Sequence, residues 1–136
     1  MLVRPAKAED YPEIIKLISE IDEAYPGFAP DSFWVAEEVG TIVGTVRLIY
    51  YPNFVFLESL AVKKDHQGLG IAKKLLADSL KTIKKDIYLY TIIPDFFQKI
   101  GFTPISPPPD FLPGKARYEC QFCKPSNCTA MVRYAV

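Results

Sequence analysis

Residues 54–80 read FVFLESLAVKKDHQGLGIAKKLLADSL, and two periodicities meet inside them. Phe54 to Val62 is a nearly continuous apolar run broken only by Glu58 and Ser59, the pattern of a strand buried on both faces. Over residues 68–85 the period becomes that of a helix, the longest expected in the chain. Ala72, Leu75, Leu76, Leu80 and Ile83 fall on one side, and Lys73, Lys74, Asp78 and Lys81 on the other. Residues 87–92 read as a further strand. The unit is therefore strand, helix, strand, which predicts parallel neighbours joined by a right-handed crossover.

Upstream, residues 1–6 read as a short strand. Asp10 and Glu13 stand at capping-box spacing with Pro12 in the first turn, and Ile14, Leu17, Ile18 and Ile21 recur at helical intervals. Tyr25-Pro26-Gly27 closes that region. Residues 33–39 and 42–51 read as two antiparallel strands about the turn Gly40-Thr41. Downstream, Pro94 opens a short helix that Gly101 ends in a left-handed conformation, and residues 102–105 resume the sheet. Prolines 104, 107, 108, 109 and 113 stiffen the next loop, and residues 129–136 alternate as a closing strand. The expected architecture is one α/β domain over residues 1–136 with a mixed sheet, carrying a Pro/Cys-rich segment at 104–128.

The junction between strand and helix is the candidate binding feature. In HQGLGIAKKLL, residues 66–76, two glycines precede a helix start, so backbone amides can approach an anion unobstructed. The unpaired amides of the first turn and the positive end of the helix dipole suit a phosphate or pyrophosphate. Lys73 and Lys74 occupy turns where an isolated helix favours Asp or Glu, which makes better sense beside a polyanion. The spacing does not complete a dinucleotide fingerprint, and no Gly-Lys-Ser/Thr follows for a P-loop. The residues alone leave a structural turn and a phosphate site both open.

The run LESLAVKKDHQGLGIAKKLL, residues 57–76, resembles the signature of the GNAT superfamily of acyl-CoA N-acyltransferases, Gln/Arg-x-x-Gly-x-Gly/Ala, with Gln67, Gly70 and Ala72 in its fixed positions. WVAEEVGTIVGTVRL at 34–48 and DFFQKIGF at 95–102 resemble the same family in the same order. The resemblance implies a mixed α/β sheet in which two parallel strands splay apart after a bulge. It implies that acetyl-CoA lies there, with Leu60, Ala61 and Val62 along its pantetheine arm. Gln67, Gly68, Leu69, Gly70, Ile71 and Ala72 would then cradle its pyrophosphate. Phe97 falls where the family often places a tyrosine that protonates the departing thiolate, so it is expected to line the cofactor but to give no proton. Tyr50, Tyr51, Tyr88 and Tyr90 are the other candidates for that acid, with solvent as the alternative.

Acetyl transfer to an amine needs a base, donors for the developing oxyanion and an acid for the thiolate. Glu58 is the one carboxylate in the central apolar run; there desolvation is expected to raise its pKa, which suits a base. The competing reading pairs Glu58 with Arg47 in a purely structural role. Cys120, Cys123 and Cys128 form CxxC-x4-C, open to zinc with a fourth ligand from elsewhere, to a disulfide, or to reduced structural thiols. LPGKARYECQFCKPSNCTAMVRY, residues 112–134, resembles the tail of small GNAT proteins related to N-acetylglutamate synthase. That resemblance raises glutamate as an acceptor, its carboxylate bound by Arg47, Arg117 or Arg133. A non-catalytic acyl-CoA sensor and a metal-dependent interaction module are the rival readings.

Sixteen basic and sixteen acidic side chains cancel, which gives no pull toward nucleic acid or a membrane surface. Glu9, Asp10, Glu13, Glu20, Asp22 and Glu23 interrupt any secretory signal pattern near the start, and no apolar run approaches bilayer length. A cytoplasmic protein is the expectation, with a homodimer among the assemblies open to it.

Overall fold

The computed structural model describes residues 1–20, 23–24, 32–113, 119–120 and 128–135. Its strands are β1 (Leu2–Pro5), β2 (Glu23–Ala24), β3 (Phe33–Glu38), β4 (Thr41–Tyr50), β5 (Phe54–Val62), β6 (Asp86–Thr91), β7 (Thr103–Pro104), β8 (Glu119–Cys120) and β9 (Thr129–Arg133). Three α-helices accompany them, α1 (Tyr11–Glu20), α2 (Ile71–Leu80) and α3 (Pro94–Gln98). Among the described residues, seven strands form one sheet in the order β1-β3-β4-β5-β6-β9-β7, and β2 pairs separately with β8. Among the described residues only β5 and β6 pair in parallel, and α2 connects them, as the strand, helix, strand pattern requires. No described helix is long and apolar enough to cross a membrane.

Alternation along the strands divides the core between two faces. On one face Val55 and Leu57 of β5, Val46 and Leu48 of β4 and Leu89 of β6 meet Leu75, Leu76 and Leu80 of α2. The three leucines of α2 are each at most 2% exposed, so each contributes roughly 2 kcal/mol of apolar burial. On the other face Ile14, Leu17 and Ile18 of α1 cover Phe33, Val35 and Ile42, while Phe54, Phe56 and Tyr88 pack with Leu112 of the proline-rich loop.

Several expected boundaries move. The second helix starts at Ile71 rather than at residue 68, because Gly68 and Gly70 both adopt φ of 81°, outside the helical region. It ends at Leu80, where the Ile83 amide folds back onto the Leu80 carbonyl at 3.1 Å, so α1 and α2 are equally long at ten residues. Asp10 and Glu13 do not make a mutual capping box. Asp10 instead accepts the Lys7 amide at 2.7 Å and two bonds from Arg4, at 2.7 and 3.0 Å. Glu13 reaches across to accept the Ile42 amide at 2.7 Å, tethering α1 to β4. The Tyr25-Pro26-Gly27 turn and Ile21 lie outside the described residues.

Candidate functional site

The parallel pair β5–β6 is short. Phe54, Val55 and Phe56 face Asp86, Ile87 and Tyr88, and the pairing stops there. β6 keeps its whole length on β9, from Ile87 opposite Arg133 to Thr91 opposite Thr129. β5 instead stays on β4 as far as Val62 opposite Gly44. The two parallel strands therefore part beyond Phe56, leaving one edge of β5 without a strand partner among the described residues.

A bulge accompanies the separation. Ala61 faces Thr45 and Glu58 faces Arg47, so Ser59 and Leu60 together oppose Val46. Ser59 takes φ of 57°, its carbonyl accepts the Thr45 hydroxyl at 3.1 Å, and its own buried hydroxyl has no hydrogen-bond partner. Past the bulge the Lys63 amide donates to the Val43 carbonyl at 2.8 Å. Antiparallel alternation past the bulge then turns the backbone groups of Val62 toward the open edge, while those of Ala61 face β4. The Val62 carbonyl accepts from Gln67 Nε2 at 3.0 Å, which fixes the chain leading into the turn.

That turn is open above its backbone. A Cβ built on Gly68 or Gly70 meets nothing within 4 Å, so the glycines serve the left-handed backbone and leave room for a ligand. Leu69 is 70% exposed, whereas Ile71 is 5% exposed and locks the first turn of α2 into the core. The first bond of α2 runs from the Lys74 amide to the Gly70 carbonyl at 3.1 Å, so the amides of Ile71, Ala72 and Lys73 precede the intrahelical ladder. They stand at the positive end of the helix dipole, an arrangement that favours an anion. Of the two neighbouring lysines, Lys74 pairs with Asp78 at 3.1 Å on the surface. His66 lies between Asp65, 2.6 Å away, and Glu38, 3.6 Å away, and its hydrogen bond holds the Asp65 carboxyl below the usual carboxylate range.

Gly44 is a site residue the sequence reading passed over. A Cβ there lies 3.1 Å from Ile71 Cγ2, so the absence of a side chain lets α2 begin against β4. A glycine inside an otherwise β-branched strand is the available signal for such close approach.

Glu58 lies on the sheet face that carries Phe33 and Phe56. Its Oε1 accepts from Arg47 Nη1 at 3.0 Å, with the two side chains 7% and 14% exposed. The Arg47 guanidinium also sits 5.9 Å from the Phe33 ring centroid, and its Nε is buried without a hydrogen-bond partner. The pairing expected of a structural Glu58 is thus present, and the carboxylate stands beside a cation. Phe97 is 4% exposed and meets Phe96 and Phe102 edge to face, so its ring packs in the core beside the short helix α3. Among the candidate tyrosines, Tyr50 and Tyr51 stand at the hairpin end of β4. Tyr88 sits at the last paired position, and Tyr90 lies beyond it in the separated part of β6. Burial raises the pKa of Tyr88 and of Tyr90, and the Tyr90 hydroxyl donates to the Pro113 carbonyl.

Cys128 is buried at 7% exposure, Cys120 belongs to β8, and Cys123 and Arg117 lie outside the described residues. Among the described residues no three His, Cys, Asp or Glu side chains are grouped closely enough to hold a metal ion.

Comparison with known proteins places this geometry. A family model of the acetyltransferase (GNAT) domain matches residues 29–104. N-acetylglutamate synthase from Neisseria gonorrhoeae, solved with coenzyme A and N-acetyl-glutamate, is 21% identical with a TM-score of 0.76, over 99% of this chain and 35% of that one. This chain thus spans about a third of the synthase's length. A Mycobacterium tuberculosis protein in complex with CoA is 20% identical with a TM-score of 0.78 over 100% of both chains. A GNAT-family acetyltransferase from Staphylococcus aureus is 22% identical with a TM-score of 0.72 over 98% of both. At these identities the structural likeness speaks for the fold, and the family match covers more than half the sequence. With its parted parallel strands, bulged β5 and glycine turn before α2, the chain belongs to the acetyltransferase (GNAT) domain family.

Proposed function

We propose that this chain transfers the acetyl group of acetyl-CoA to a primary amine by direct attack. The acceptor is a small molecule, with amino acids such as glutamate foremost, or a peptide. The observation that carries the reading is the opening between β5 and β6 beyond Phe56, which ends beside the unobstructed turn at Gly68 and Gly70. In this reading the amides at the start of α2 and the turn from Gln67 to Ala72 hold the pyrophosphate. The open edge of Leu60 and Val62 offers backbone groups to the pantetheine arm. Bound acetyl-CoA supplies the activated acyl group as a thioester.

Glu58 takes a proton from the acceptor's ammonium, directly or through water, to give the neutral amine that attacks the thioester carbonyl, and Arg47 fixes the carboxylate's orientation at 3.0 Å. Tyr90, which burial keeps protonated and which lies in the separated part of β6, is the tyrosine placed nearest the role that Phe97 cannot fill. An amino-acid acceptor fits the juxtaposition of Arg47 and Glu58, since a guanidinium recognises a carboxylate and a carboxylate an ammonium. The Neisseria synthase, which shares the fold, was solved with N-acetyl-glutamate.

The test is release of free CoA thiol from acetyl-CoA with a panel of amines that includes glutamate, other amino acids and peptide N-termini. Turnover with glutamate or another amino acid above the peptide rate is expected. Tight acetyl-CoA binding without thiol release for any amine would replace the transferase reading with that of an acyl-CoA sensor.

A further inference from the structure

At the far end of α2 from the glycine turn, about 15 Å away at 1.5 Å per residue, the chain gathers positive charge. Lys81, Lys84 and Lys85 follow the helix, and β9 brings Arg133 to the same place. Together with Leu80 and Ile83 they line a cleft of about 480 Å³. None of the four cations has an ion-pair partner among the described residues. Lys85 Nζ donates to the Tyr51 carbonyl at 3.3 Å, and the Arg133 guanidinium rests 5.8 Å from the Phe102 ring centroid. The nearby carboxylate, Asp86, already accepts the Ala135 amide at 2.7 Å.

Cations after a helix C-terminus are favoured by its dipole, which accounts for lysines beyond Leu80. It does not account for Arg133, which comes from a different element and faces the same cleft. In a chain whose formal charges cancel, four unpaired cations around one concavity amount to a local excess. We infer that this cleft is a second anion site, distinct from the coenzyme turn. It takes a compact anion with two or more charges, phosphoryl or polycarboxylate in chemistry. Cations arriving from two elements match a multivalent ligand better than a single charge, and the volume is that of a small-molecule site.

The experiment keeps the protein saturated with coenzyme A, so that the turn at 67–72 is occupied, and follows backbone amides by NMR. Inorganic pyrophosphate and citrate are titrated separately, with sodium chloride at matched ionic strength as reference. Saturable shifts confined to residues 80–86 and 133–135 are expected, with apparent affinity lowered at least tenfold in Lys81→Gln/Lys84→Gln. Both lysines are exposed, so that variant is expected to fold, and its spectrum checks that. A stronger response to pyrophosphate assigns a phosphoryl ligand, and a stronger response to citrate a polycarboxylate. Shifts that do not saturate, that sodium chloride reproduces, or that persist unchanged in the double variant would overturn the inference.

Discussion

A carboxylate and a guanidinium 3.0 Å apart in the middle of a sheet are costly to bring there and costly to separate. Glu58 and Arg47 are so placed, at 7% and 14% side-chain exposure. Removing one charge leaves the other buried without compensation, which typically costs about 3 kcal/mol, whereas replacing both by apolar groups is often close to neutral. Glu58→Gln should therefore lower the melting temperature by several degrees, and Arg47→Met/Glu58→Met should recover most of that loss. If the carboxylate also serves the reaction, the double variant stays inactive, with kcat/KM down at least a hundredfold although its stability has returned. Melting curves and CoA release measured on the same preparations separate the two roles. Recovery of both stability and activity would make the pair purely structural. The sequence left Glu58 open between a base and a partner of Arg47, because the two lie eleven residues apart on neighbouring strands and the hairpin register that sets them opposite each other shows only in the structure.

At the scale of elements, two contacts set where the helices begin. Arg4 of β1 grips Asp10 through two bonds and Glu37 of β3 through one, and this hydrogen bonding holds the Asp10 carboxyl below the usual carboxylate range. The stability that the contact supplies is complete above the unfolded aspartate value near 4 and drains away as the pH falls through the depressed folded value. Denaturant unfolding between about pH 5 and 2 should consequently show a shallower acid loss for Asp10→Asn than for the wild type; parallel slopes would contradict this. At the start of α2, the 3.1 Å approach of a Gly44 Cβ to Ile71 leaves no room for a branched side chain. Gly44→Val should cost about 1–3 kcal/mol by overpacking and weaken acetyl-CoA binding, because the helix start that carries the turn has to shift. Unchanged affinity in calorimetry would detach α2 placement from the coenzyme site. The bounds of β5 were legible because a strand buried on both faces leaves a continuous apolar run. The polar break at Glu58 and Ser59 was visible too, but that Ser59 and Leu60 form a bulge opposite Val46 shows only in the register. The start of α2 read too early because two glycines that belong to the turn are compatible with a helix by composition and incompatible with it at φ of 81°.

Across the whole molecule, function rests on a topological event: β6 follows β9 while β5 follows β4, and the gap between them opens toward the turn at Gly68 and Gly70. The order of strands and helices was readable along the chain, and so was the glycine turn. The acid of the reaction was not, because Phe97 stands where a tyrosine would give the proton, the other candidate tyrosines lie at the hairpin end of β4 and on β6, and the parting of β6 from β5 does not show in the sequence. The account's central claim is that residues 67–72 hold the coenzyme through its pyrophosphate. The most direct test is calorimetric titration of acetyl-CoA into wild type, Gly70→Ala and Gly70→Glu, each checked for fold by circular dichroism. Both substitutions carry the strain of a left-handed backbone, of order 1 kcal/mol, but only glutamate adds bulk and negative charge to the space above the turn. The account predicts a modest loss of affinity for Gly70→Ala and a loss of at least tenfold for folded Gly70→Glu; wild-type affinity in folded Gly70→Glu would contradict it.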